Sequence, residues 1–274
     1  MKEVKKFISP NAWFEFEYPA NWFEFEDGEG SFLFYNPDAW DGNFRISGFK
    51  GESGNYGVEF VKEEVSYSSK LKSYPLDFGV AKYEVSKFTQ DEQTFDTYRW
   101  VLGIADMGLD CSFITQEGES SKIAKQIIES IKVRDLSQKY PAEIIPIRLS
   151  EIYAINEAYE NVTMLVKESF SKDFQGAEED LASLDKIVGD ELIPKKKRDR
   201  WVEVGLTLGV ILSNEVEGIE WRSLIDGNRE DAVLYYTPTQ RVIDPMKLVW
   251  SKVKAGEALN ITESYQEALA SLHA

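Results

Sequence analysis

The sequence predicts an α+β chain in two parts. An N-terminal antiparallel sheet flanked by helices occupies residues 1–135, and a helix-rich domain with a small antiparallel sheet occupies residues 148–274. Three observations carry this reading. Residues 13–35 read WFEFEYPANWFEFEDGEGSFLFY, alternating runs broken at Pro19 and at Asp27-Gly28-Glu29-Gly30. Strand side chains alternate between faces, so period two marks antiparallel strands with one face buried and the other nearer water. From residue 149 the apolar spacing becomes helical, and between the two patterns Asp135, Ser137, Pro141 and Pro146 interrupt any period.

In the first run Phe14, Phe16 and Tyr18 share one face, with Trp13, Glu15 and Glu17 on the other. In the second, Phe23 and Phe25 oppose Trp22, Glu24 and Glu26. The phenylalanine face is expected to be buried. The opposite face is then either an open, acidic, aromatic surface or one covered by helices, with the tryptophans in the core and the glutamates at the rims. After the turn Asn36-Pro37-Asp38, Phe44, Ile46 and Gly48 predict a fourth strand ending in the polar loop 51–57. Val58, Val61, Val65 and Leu71 suit a helix over 58–71 with Lys62, Glu63 and Glu64 on its wet side. Strands return at 80–88, 95–104 and 109–115, joined by tight turns. Ser120 and Ser121 are N-cap candidates for a helix burying Ile123, Ile127, Ile128 and Ile131.

The second domain opens with a long helix over 149–169, carrying Leu149, Ile152, Ile155 and Tyr159. Leu181, Leu184, Ile187 and Val188 mark another, ended near Gly189 or Pro194. A third, over 199–214, buries Trp201, Val204, Leu208, Ile211 and Leu212. Strands at 219–224 and 232–236 flank the hairpin signal Asp226-Gly227-Asn228. A short strand follows at 241–243, Pro245 opens a helix, and residues 261–272 close the chain helically.

Composition narrows the function. With 43% hydrophobic and 13% aromatic residues the 274-residue chain is globular. It has no apolar run of spanning length and no signal-peptide pattern, so a cytoplasmic address without membrane contact is expected. The single Cys111 excludes an internal disulfide and lies in a strand pattern as an inert thiol. The single histidine, His273, next to the C-terminus, leaves no Ser-His-Asp triad, Cys-His pair or histidine-based zinc site to assemble. No metal or other cofactor is expected. The net charge of -17, from 31 basic and 48 acidic residues, disfavours nucleic acid; it either attracts a basic protein partner or serves solubility alone.

Tyr18-Pro19-x-x-Trp22, the order of strands and helices, and the closing Ile127-Ile128-Glu129-Ser130-Ile131 resemble the superfamily of the photosystem protein PsbP and the Ran-binding Mog protein over residues 7 to 133. The resemblance implies an antiparallel sheet sandwiched by helices, with Tyr18 and Trp22 plugging it. It also implies a noncatalytic binding or assembly role, as for most members of that superfamily. The whole chain resembles bacterial two-domain proteins known only as domains of unknown function.

The reading that follows is a nonenzymatic protein-binding, assembly or immunity-type protein with an acidic surface; the alternative is a carboxylate-dependent hydrolase. Trp13, Glu15, Glu17, Trp22, Glu24 and Glu26 are the leading partner-binding candidates, because tryptophan beside carboxylates recognises Lys and Arg. Trp221, Arg222 and Tyr235, with Tyr236, form a comparable set. Lys195-Lys196-Lys197-Arg198-Asp199-Arg200 is the one basic run, read as a solvated connection or a partner contact. Gly205-x-x-x-Gly209 lies in a helix pattern and permits close approach of a neighbouring element.

Overall fold

The computed structural model describes residues 3–28, 30–227 and 229–272, and the fold is α+β. Two compact units divide it, Met1–Tyr140 and Pro141–Ala274.

In the first unit the elements run β1 (Val4–Ile8), β2 (Phe14–Pro19), β3 (Phe23–Gly28), β4 (Ser31–Tyr35), β5 (Asn43–Lys50), α1 (Tyr56–Tyr67), β6 (Lys72–Ser73), β7 (Val80–Gln90), β8 (Gln93–Ile104), β9 (Met107–Gln116), α2 (Lys122–Ser130) and β10 (Lys132–Val133). The strands make two antiparallel sheets, one of order β1-β2-β10 and one of order β3-β4-β5-β9-β8-β7-β6. Alternation explains how they meet. Phe7, Phe14, Phe16 and Tyr18 project from the small sheet onto Phe34, Phe44 and Phe113 of the large one. The Phe16 ring lies 5.2 Å from that of Phe34 and 6.0 Å from that of Phe44. Ala124, Ile127 and Ile128 of α2 complete this core, and each fully buried large side chain contributes about 1.5–3 kcal/mol. On the other face of the large sheet, Phe60 and Val61 of α1 pack on Val101. Two glycines set how closely they approach: a Cβ on Gly103 would meet the carbonyl oxygen of Gly57 at 2.1 Å.

The helix expected over 58–71 stops at Tyr67, because Ser68 turns to extended backbone, and Leu71 is buried outside it. Strands of two residues, β6 and β10, are too short to show a period in sequence.

The second unit contains β11 (Glu143–Pro146), α3 (Leu149–Phe170), α4 (Leu181–Gly189), α5 (Arg198–Glu215), β12 (Ile219–Asp226), β13 (Arg229–Tyr236), β14 (Arg241–Ile243), α6 (Lys252–Ala255) and α7 (Ile261–Leu272). Its antiparallel sheet has the order β11-β12-β13-β14. The segment expected to be periodless between the domains thus includes a strand, with Ile145 opposite Ser223; four residues that end in proline carry too little pattern to reveal it. Helix α5 is central, burying Trp201, Val204, Leu208, Ile211 and Leu212, with every residue from 204 to 209 buried. Its glycines admit neighbours, since a Cβ on Gly209 would lie 2.5 Å from the Trp221 ring. Asp185 of α4 accepts the Ile261 N–H at 2.5 Å and the Thr262 hydroxyl at 2.5 Å, capping α7 from another helix.

Candidate functional site

The two WFEFE runs part company at Pro19. The backbone turns there, with the Trp22 N–H donating to the Pro19 carbonyl at 3.0 Å, and the second run joins the other sheet. Trp22 precedes β3 and sits fully buried, stacked on Phe113 at 6.5 Å, its indole N–H donating to Asp41 Oδ2 at 3.3 Å. Phe23, expected inside, is 50% exposed beneath the Lys5 ammonium, and Phe25 is half-buried against Tyr35 at 4.2 Å. The expected burial of the phenylalanine face is therefore corrected for the second run. β3 is an edge strand, and the register Glu24↔Phe34 puts Glu24 on the core side.

A single surface joining Trp13, Glu15, Glu17, Trp22, Glu24 and Glu26 is corrected as well, because the residues divide between two sheets. Trp13 is half-buried against the core, with Lys50 Nζ 5.9 Å from its ring. Glu15 holds Lys6 at 3.0 Å and the buried Arg134 at 2.8 Å. The Glu26 side chain lies outside the described part of the structure. Glu17 is the member of the first run whose side chain is exposed.

Glu17 stands on a groove of about 560 Å³ between β2 and α2. Tyr18 and Ile127 reach it from the core, Val4 and Ile123 add apolar surface, and Lys122, Gln126 and Ser130 supply polar groups from α2. Those three were not foreseen, although their i, i+4, i+8 spacing beside the isoleucine stripe was legible as one face of a helix. The strand edge here is closed. β10 covers β2 only opposite Phe14 and Glu15. Beyond it Ser130 Oγ accepts the Glu17 N–H at 2.9 Å, and Pro19 has no N–H to offer. The groove can therefore recognise side chains but not an added strand.

In the second unit, Trp221, Arg222 and Tyr235 are not brought together as one face. Trp221 packs inward on α5, whereas Arg222, its neighbour along β12, points to the other face and pairs with Glu220. Tyr235 lies opposite Glu220, on the Arg222 side. Hairpin β12–β13 turns at Gly227, whose φ of +62° favours glycine; Asn228 lies outside the described residues, as does His273. Cys111 is fully buried, and burial pushes its thiol pKa well up. In the basic run, Arg200 pairs with Glu203 at 2.8 Å.

Glu151 is a carboxylate whose pKa is raised, the direction an acid catalyst would need. Burial is the main cause that raises its pKa, while the Ser223 hydroxyl and the Arg148 N–H that it accepts pull it back, and Glu230 raises it further. Arg148, itself buried, pairs with Glu230. Glu151 thus caps the start of α3 by accepting the Arg148 N–H. Among the described residues no group of three or more His, Cys, Asp and Glu is placed to hold a metal ion, and no helix is long and apolar enough to cross a membrane.

Comparison with known proteins supplies families without assigned roles. Residues 2–156 match the model of a domain of unknown function, DUF3805, and residues 180–265 match a second, DUF3806. A crystal structure from Bacteroides thetaiotaomicron VPI-5482 is similar at 48% identity and a TM-score of 0.93, over 97% of this chain and 98% of that one. Two more distant likenesses each cover 49% of this chain. One is LpqN of Mycobacterium tuberculosis, described as involved in cell envelope biogenesis, at 11% identity, a TM-score of 0.34 and 93% of that chain. The other is the cyanobacterial PsbP of Synechocystis sp. PCC 6803, at 13% identity, a TM-score of 0.26 and 94% of that chain. Likenesses at such scores carry no argument about function. No curated protein matches.

Proposed function

The chain belongs to the DUF3805 family, and from that premise we propose that it is a nonenzymatic binding protein whose β2–α2 groove accepts a basic segment of a protein partner. The observation that carries the reading is Glu17. It is an exposed carboxylate at the edge of an amphipathic groove, in a chain of net charge -17. An apolar partner residue would rest on Val4 and Ile123, while a Lys or Arg beside it reaches Glu17 and Gln126. Lys122 sets direction by favouring an acidic group at its own end. The whole-chain charge speeds encounter, and the groove decides which segment stays. The hydrolase alternative gains no support from Glu151, the carboxylate with a raised pKa, because it is engaged in capping α3.

The test is differential capture from the source cell. Glu17→Lys reverses the charge at an exposed position, and Gln126→Trp fills the groove from an exposed position. A basic protein captured by the parent chain and lost with both variants supports the reading. A partner retained by both, or one that is acidic, overturns it.

A further inference from the structure

The core of the second unit opens to a hollow of about 550 Å³, within the range of about 300–1,000 Å³ in which small-molecule sites fall. Val188 of α4, Val253 of α6 and Leu259 before α7 belong to the same apolar cluster as the buried Trp201, yet are only partly buried. They line the opening. Trp201 is fixed there, because its indole N–H donates to the Pro194 carbonyl at 3.2 Å. The charged residues of the lining are Glu191, Glu257 and Lys195, all exposed. None of the three shows a hydrogen bond or ion pair from its side chain among the described residues. Two carboxylates against one ammonium leave a net charge of -1 over an apolar, tryptophan-bearing interior.

We infer that this hollow binds a small organic cation, a protonated amine carried on an aromatic or aliphatic body. The body displaces water from Val188, Trp201, Val253 and Leu259, which gives affinity in proportion to the apolar area covered. The ammonium stays at the rim, where the exposed Glu191 and Glu257 attract it. A carboxylate on the same body meets two like charges against the single ammonium of Lys195. An alcohol meets neither gain nor penalty, so head-group charge is the discriminating variable. The site is independent of the β2–α2 groove, and neither reading depends on the other.

Three probes of one shape separate the terms: phenethylammonium, 3-phenylpropanoate and 2-phenylethanol, titrated into the full chain at low ionic strength with two-dimensional NMR. Phenethylammonium should shift resonances of residues 188–201 and 253–259 and bind roughly tenfold more tightly than the acid, as two exposed charge interactions allow. Glu191→Gln with Glu257→Gln, both at exposed positions, should weaken the amine about five- to tenfold and leave the alcohol unchanged. Ala258→Phe, which fills the hollow from a third exposed position, should abolish binding of all three. The proposal falls if the acid binds as tightly as the amine, if the double variant keeps its affinity for the amine, if the shifts lie elsewhere, or if the amine produces none up to about 10 mM, a concentration well above any useful affinity.

Discussion

The pentapeptide WFEFE occurs twice, at residues 13–17 and 22–26, and the two copies reach opposite outcomes. In the first, Phe14 is buried and Trp13 only half so; in the second, Trp22 is buried and Phe23 faces water. Local chemistry is the same in both, so it cannot be the cause. What differs is the partner strands. β2 lies between β1 and β10 and presses Phe14 and Phe16 onto the large sheet, whereas β3 is that sheet's outer strand. Alternation guarantees two faces; the neighbours decide which of them becomes the core.

Substitutions at matched positions should widen this contrast or remove it. The largest effect is expected at the phenylalanines and tryptophans. Phe14→Ala should cost about 3–5 kcal/mol and Phe23→Ala less than about 1 kcal/mol. At the tryptophans the order reverses, with Trp22→Ala about 3–5 kcal/mol and Trp13→Ala about 1–2 kcal/mol. Chemical denaturation of the four variants reads both differences, and equal costs within either pair would break the comparison.

The glutamates come next. Glu15→Gln removes the negative charge that faces Arg134, whose side chain is 3% exposed, and should cost about 2–4 kcal/mol. Glu17→Gln sits at an exposed position and should stay within about 0.5 kcal/mol in the same measurement. A comparable loss at Glu17 would mean that the groove is structural and not a binding surface.

The smallest effect sharpens the contrast from outside the repeat. Glu15 faces cations, whereas Glu151 is half-buried, and desolvation raises its pKa from the ordinary 4.5. Between the unfolded value and the higher folded value the native state holds the extra proton. Stability therefore falls as pH rises through that window, which begins near 4.5. Glu151→Gln keeps an oxygen to accept the Arg148 N–H but does not titrate. Its unfolding free energy should fall less steeply with pH just above 4.5 than that of the parent chain. Parallel slopes in denaturation series at several pH values would contradict the assignment.

Much of the fold was legible because its signals are local. The isoleucines of α2 and the apolar residues of α5 declare helices through spacing, and residues 80–116 declare three strands through alternation and turn chemistry. The candidate site was legible only in pieces. Glu17 was among the residues singled out, but Lys122, Gln126 and Ser130 meet it because Ser130 closes the β2 edge, 113 positions from Glu17.

By itself, then, the sequence determined where the chain would extend, coil and turn, since those follow from backbone sterics and the rhythm of apolar side chains over a few residues. Only the tertiary structure decided which copy of WFEFE buries its phenylalanines. It also decided that Glu15 is engaged by Arg134, 119 positions away, while Glu17 is left at a groove. The physical reason is that burial and ion pairing are properties of the space between elements, and that space exists only once strands distant in sequence have found their register.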